Sequence, residues 1–471
     1  MLHLAFGLDM VMIQEPREIR TALYKGFLVP VKNGMSRFQG MGTSKSESQV
    51  YHVTKYGADP TGKNDSTESL LKAFSDAIKD PSERFLMSGI VDIGGARIDL
   101  DGGDYLISLP LRFPVAGIGN VVIHGGTLRA SANFPADGYL IELSSTKINK
   151  SETHKSIRDR LQSQPYNYEY ITLRDLMLDC NFRGGGISVI NSLRTSIDNC
   201  YISHYSTDGI LVQGGHETYI RNSYLGQHIN AGGDPSERNF SGTGISLIGN
   251  DNAVTDVVIF SALIGIFISG QGNIISGVHC YNKATTLGGI GIYLEFIDLT
   301  QNRIVNSYFD FTGIVAEDPV QVHITNNFFL GDAFILLKSI NGVIKGVNIV
   351  DNMFSGSGRG IEIVQLEGEF KEIDQVVVDR NNVNDMKVKS TVAKGLVQGN
   401  GSSWTVDFSS TLLFPNLTKN VQYTLSTSDG LLPMHALRST SDNRVVIESS
   451  MATQGSVYVV VDQGTSDDLC F

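Results

Sequence analysis

Basic residues are scarce and scattered: 37 Lys and Arg face 49 Asp and Glu in 471 residues, for a net charge of -12 and a pI near 5.3. Phosphate recognition needs clustered Lys and Arg, so a nucleic-acid partner is excluded. The same balance repels acidic polysaccharide at long range, so such a substrate requires a local basic patch or salt screening. Cysteine is sparse too. The four, at 180, 200, 280 and 470, are too few for a disulfide scaffold. No apolar run nears the roughly 18 residues that a membrane span needs.

Several chemical signatures are also missing. The sequence has no HExxH, no paired CxxC, no Gly-rich phosphate loop and no nucleophile elbow. The nearest thing to a calcium loop, GNDNAVTD, offers Asn250, Asp251, Asn252 and Asp256 without the alternating acids and closing Glu. The expectation is a chain with no metal and no cofactor. The opening MLHLAFGLDMVMIQEPREIR lacks a basic n-region, and Asp9 interrupts its apolar stretch, so residues 1–48 read as an atypical N-terminal segment or leader. Sequons at Asn64, Asn149, Asn239, Asn400 and Asn416 permit glycosylation.

What the chain does contain is glycine, 50 residues of it, with 41% hydrophobic and 18% charged residues: a folded, turn-rich composition. It also contains a repeat. A six-residue template, apolar, any, then Asn, Asp or Gly, any, then two mostly apolar, recurs as LRDLML (Asp175), IDNCYI (Asn199), IRNSYL (Asn222), VTDVVI (Asp256), ISGVHC (Gly277), IVNSYF (Asn306), ITNNFF (Asn326) and IVDNMF (Asp351), then VDRNNV near Arg380. The spacings are 24, 23, 34, 21, 29, 20, 25 and 29 residues. A second strand follows almost every copy: GISVIN, GILVQG, GISLIG, GIFISG, GIYLEF, AFILLK and GIEIVQ.

Two short β-rich strands per repeat bury their apolar faces only when repeats stack. An antiparallel sandwich with regular turns does not require the same grammar once per coil. The expected fold is therefore all-β: a right-handed parallel β-helix over residues 49–388, with Asn side chains forming a ladder along one column. Asp65-Ser-Thr-Glu68 resembles a capping box opening the helix STESLLKAFSDAIKD, a plug for the first coil. Beyond about residue 389 the repeat stops, and WTVDF, VQYTL, NRVVIES and SVYVVVDQ read as a small antiparallel β module over 389–471.

YHVTKYGADPTGKNDSTESLLKAF followed by ARIDLDGGDYLIS resembles the opening segment of the pectate-lyase-like superfamily, which includes phage tailspikes and many pectinases. More closely, GGARIDL, INSLRTSIDNCYI, GHETYIRNSYLGQHI, GNDNAVTDVVIFSA, GVHCYNKAT, GIVAEDPVQ and NIVDNMFSGSGRG resemble the plant QUARTET-type polygalacturonases. That resemblance implies hydrolysis of α-1,4-linked galacturonan in the cell wall and a role in pollen-wall separation. Ordinary polygalacturonases of glycoside hydrolase family 28 carry Asn-Thr-Asp-Gly, Gly-Asp-Asp, Gly-His-Gly and Arg-Ile-Lys on successive coils. Here Ser206-Thr207-Asp208-Gly209 matches the first motif except for Ser. Gly242-Thr243-Gly244, Ile264-Gly265 and Tyr293-Leu294-Glu295 stand where the other three belong.

An inverting glycosidase needs two carboxyl groups roughly 6.5–9.5 Å apart. With coils about 4.8 Å apart, partners of Asp208 come from its own turn or from turns one or two coils away. The preceding turn, DCNFRGG, supplies Asp179, Asn181 and Arg183; the following one, GQHINAGGDPSERNFSGT, supplies Gln227, His228, Asp234, Glu237 and Arg238. The expected catalytic set is Asp208, Asp179, Asp234 and His228, with Asp208 or Asp234 as acid, Asp179 or the other as base, and His228 tuning protonation. Arg183, Arg238 and Lys283 suit galacturonate carboxylates.

Alternation points Ser188, Leu211, Ser246, Phe267, Tyr293, Leu336 and Glu362 outward in one column, and Gln213, Ser269, Glu295 and Lys338 in the next. Phe267 and Tyr293 are the expected sugar-stacking residues, with Gln213 and Glu295 beside them. His216, Glu217 and His279 read as structural. The expected partner is an acidic polysaccharide, pectin or polygalacturonate, met by a secreted, cell-wall monomer. Two other functions compete: β-elimination of the pectate-lyase type, for which Arg183 and Lys283 are candidate bases, and a non-catalytic β-helix that binds wall polysaccharide.

Overall fold

The structure, a computed structural model, describes residues 49–79, 83–144, 166–227, 242–281, 289–295, 301–428, 430 and 432–464. Residues Glu47–Phe471 form one compact unit. Among the described residues, 32 strands join in one continuous ladder, parallel at nearly every junction. The chain winds as a right-handed parallel β-helix, the hand that parallel crossovers overwhelmingly take.

Each full coil presents three faces, where the sequence suggests two strands. The Gly-opened strands form a front sheet, including Tyr139–Leu143, Gly185–Leu193, Asp208–His216, Thr243–Asn250, Ile264–Ile268 and Ile290–Leu294. The repeated template is not one strand but two, bent at its third residue: Tyr219–Arg221 and Tyr224–Gly226 flank Asn222, and Arg303–Val305 and Tyr308–Asp310 flank Asn306. The physical reason is a left-handed corner. Asp175, Asn199, Asn222, Asp256, Gly277, Asn306, Asn326, Asp351 and Arg380 all have φ between 50° and 64°. Asn, Asp and Gly are the residues that enter that region at least cost.

The side-chain ladder lies one residue beyond the corner. Ser307 N–H donates to Asn327 Oδ1 at 2.9 Å, Asn327 Nδ2 to Asn352 Oδ1 at 3.0 Å, and Asn352 Nδ2 to Asn381 Oδ1 at 3.0 Å. A second ladder runs from Asn252 to Asn273 Oδ1 at 3.0 Å, with the Asn273 amide donating to Asn302 Oδ1 at 2.9 Å. Buried turns thus satisfy their backbone donors without water.

Inside the coil, Ile187, Ile210, Ile245, Ile266, Ile292, Ile314, Ile335 and Val364 stand in one register column, each at most 1% exposed. The glycine before each Ile on the central coils is required by close approach: a Cβ at Gly209 would sit 2.7 Å from the Gly244 carbonyl oxygen. Phe309, Phe329 and Phe354 stack face to face, with centroids 4.9 and 4.5 Å apart.

Both ends of the stack are covered. Helix Thr67–Ala77 buries Leu70, Ala73, Phe74 and Ala77 against the first coils. Its start differs from a capping box: Ser66 makes no side-chain cap, and Asp65 Oδ1 instead accepts from the Thr67 amide at 3.0 Å. At the other end, Val392–Asp407, Asn420–Thr427, His435–Ser441 and Arg444–Asp462 form an antiparallel sheet with its own core around Trp404, Ile447 and Val459. Leu413 and Phe414 join the coil core, and the Thr391 amide bonds to the Val378 carbonyl at 2.8 Å, so this sheet closes the last coil's open edge. Cys180, Cys200 and Cys280 are buried free thiols.

Candidate functional site

The turn His204-Tyr205-Ser206-Thr207 delivers Asp208 to the first position of a front-sheet strand, where the Ser206 and Thr207 amides both bond to the Gly184 carbonyl, at 2.8 and 3.1 Å. The Asp208 side chain is partly buried. Both its oxygens are engaged. Tyr139 Oη donates to Oδ2 at 2.6 Å, and Ser246 Oγ donates to Oδ1 at 2.5 Å. Neither partner is evident in the sequence pattern: Tyr139 lies 69 residues upstream and Ser246 38 downstream. Burial, then the charge of Asp208, pushes the Tyr139 hydroxyl well above its ordinary value, so it remains a proton donor.

Asp179 occupies a different node. It ends strand Tyr168–Asp179, where His204 Nδ1 lies 2.8 Å from its Oδ1 and the Asn181 amide donates at 3.0 Å. Burial opposes its charge, but these bonds and the charges of His204 and Arg129 outweigh that, so the carboxyl sits below its usual range. Asp179 and Asp208 have different hydrogen-bond partners. Arg183, from the turn between them, donates through Nε to the Phe134 carbonyl at 2.5 Å.

His228, Asp234, Arg238 and Lys283 lie outside the described residues. Register confirms one outward column through Ser188, Leu211, Ser246, Phe267 and Tyr293, but it continues through Val315 and Leu336 to Gln365, not Glu362. Phe267 is not the open stacking platform expected: it is 9% exposed and packs on the Tyr293 ring, centroids 5.8 Å apart. Tyr293 Oη donates to Glu317 Oε1 at 2.6 Å, and Lys338 Nζ reaches the same oxygen at 3.1 Å. Burial, then Glu317, pushes the Tyr293 hydroxyl up. Gln213 is buried at 3%; Glu295 is partly buried after the strand Ile290–Leu294.

The register column of Asp208 runs through Thr243, Ile264 and Ile290. None of these three can act as acid, base or cation. His216 pairs with Asp251 at 3.0 Å and Glu217 with Arg194 at 2.9 Å, on the corner away from Asp208. Among the described residues, only His52, Asp99 and Asp101 bring three potential metal ligands within 4.8 Å of one another. Their oxygens already serve the fold: Asp101 accepts from Thr54 N–H at 3.1 Å and lies 2.6 Å from His52 Nδ1, and Asp99 accepts from the Asp101 amide at 2.9 Å.

No protein-family model matches the chain. Polygalacturonase QRT3 of Arabidopsis thaliana is 64% identical over 421 residues, 88% of this chain and 85% of that protein. The chain belongs to the QUARTET-type polygalacturonases. Within the solved structures, endo-xylogalacturonan hydrolase from Aspergillus tubingensis superposes with a TM-score of 0.51 at 11% identity, covering 72% of this chain and 95% of that one. At that identity the likeness concerns the fold. This QUARTET-type chain places one acid, Asp208, in a front-sheet column that continues through Thr243, Ile264 and Ile290.

Proposed function

We propose that the protein hydrolyses α-1,4-linked galacturonan, with Asp208 as the carboxylate that activates water. The observation that carries this reading is the pair of hydroxyls bonded to its two oxygens. An ionised carboxylate is acceptor-only, so two donors suit it, and one donor per oxygen leaves lone pairs for a water. Asp179, held below the usual carboxyl range, is poorly suited to deliver a proton. That leaves Asp234 as the acid of the proposed pair. Arg183, whose Nε donates to the Phe134 carbonyl, is the proposed partner of a sugar carboxylate. Family membership supports pectin as substrate, the plant cell wall as location and separation of pollen walls as the process.

The test incubates the purified chain and an Asp208→Asn variant with de-esterified polygalacturonate. Reducing ends and ultraviolet absorbance of unsaturated product are followed together. New reducing ends without absorbance, lost in the variant, are expected. Absorbance would instead mean β-elimination, and silence on both signals a binding protein.

A further inference from the structure

We infer that Tyr139 and Ser246 form a two-hydroxyl clamp that positions Asp208, with Gly185 as the window through which Tyr139 reaches it. The inference rests on the proposed role of Asp208. Tyr139 and Asp208 are not on neighbouring coils. Tyr139 pairs with Gly185, and the Gly185 strand in turn pairs with the Asp208 strand, Ile187 against Ile210. A side chain reaching from one to the other must cross the intervening coil, about 9–10 Å at two coil spacings. The crossing is open because residue 185 has no side chain: a Cβ there would lie 2.4 Å from Tyr139 Cε1 and 2.5 Å from Cδ1.

The clamp is itself held. The Tyr139 amide donates to Glu142 Oε1 at 3.2 Å, and Arg112 Nε holds the other oxygen of Glu142 at 2.7 Å. Tyr139 is 6% exposed and Ser246 5%, so water does not readily replace either hydroxyl. Ser246 belongs to the next coil and Tyr139 to one two coils back, so the carboxylate is gripped from both directions along the axis. Held this way, its orientation is set by the stack and not by solvent.

A merely structural pair of hydrogen bonds would cost stability alone; a clamp on the reacting carboxylate also costs turnover in molecules that stay folded. On polygalacturonate, Tyr139→Phe and Ser246→Ala are expected to lower kcat about tenfold with KM unchanged, per molecule shown folded by circular dichroism, and Ser246→Thr, which keeps the hydroxyl, to restore it. Wild-type kcat in both deletion variants, with Asp208→Asn inactive in the same assay, overturns the clamp and leaves the role of Asp208 standing. A wild-type chain without activity, or an Asp208→Asn variant that keeps it, overturns that role and the clamp with it. Ser246→Ala alone suffices should Tyr139→Phe not fold.

Discussion

The coils from Ile290 to Asn384 and those from Tyr139 to Asn250 share one architecture and use it differently. In the later stretch three successive coils stack Phe309, Phe329 and Phe354 inside, and Asn327, Asn352 and Asn381 form an unbroken ladder. In the earlier stretch the repetition is interrupted. Tyr139 skips a coil to reach Asp208, and the outward positions Ser188, Gln213 and Ser246 are buried polar groups. Stability in a solenoid comes from nearest-neighbour interfaces, so repetition is its cheapest source. A contact that skips a coil adds little to that and orients one carboxylate. The difference teaches where to look for chemistry in such a fold: at the coil that departs from its neighbours.

The comparison can be broken at either stretch. Asp208→Asn should lower hydrolysis of polygalacturonate by about 10²–10⁴-fold, the range for general-base removal, while thermal unfolding shifts little. Phe329→Ala should do the reverse. Deleting the middle ring of the stack should destabilise by about 3–5 kcal/mol in denaturant titration and leave turnover per folded molecule near wild type at low temperature. Equal losses of activity and stability in both variants would refute the division. A smaller cost, about 1–3 kcal/mol, is expected for Asn352→Ala, which strands the donors of Asn327 inside the ladder.

The two acids offer a finer comparison. The Asp179 carboxyl is depressed in the folded state, so the stability it contributes is complete above the ordinary aspartate value of about 3.9 and disappears as pH falls through the folded value. Replacing His204 with Ala removes a favourable partner of that carboxylate and should raise the pH of acid unfolding, measured by circular dichroism. The smallest effect concerns the whole chain. With a net charge of -12, capture of an acidic polymer should speed up when ionic strength rises from about 0.01 to 0.15 M, read in kcat/KM. A neutral oligosaccharide should show no such change.

Much of the fold is legible in the residues because its rules are local. Asn199, Asn222, Asn306 and Asp351 mark corners wherever they occur, and the Gly-Ile pairs of the front strands announce a close approach followed by an inward side chain. The same pattern misleads in detail: a corner in mid-template splits one expected strand into two, and the ladder belongs to the neighbouring residue. Of the candidate site, the residues show Asp208 but neither of its partners, Tyr139 and Ser246. Phe267 alternates outward as expected, yet it is buried, because alternation gives direction and not what lies above it.

The sequence by itself therefore determined the helix, its coil spacing, the helical plug at its first coil and the family, since period, corner chemistry and strand alternation act over a few residues and recur. Only the tertiary structure decided that Asp208 meets Tyr139 and Ser246 while Asp179 meets His204. Those partners come from 69, 38 and 25 residues away, and what brings them together is how many residues each intervening coil holds. That sum over variable turns has no local signature.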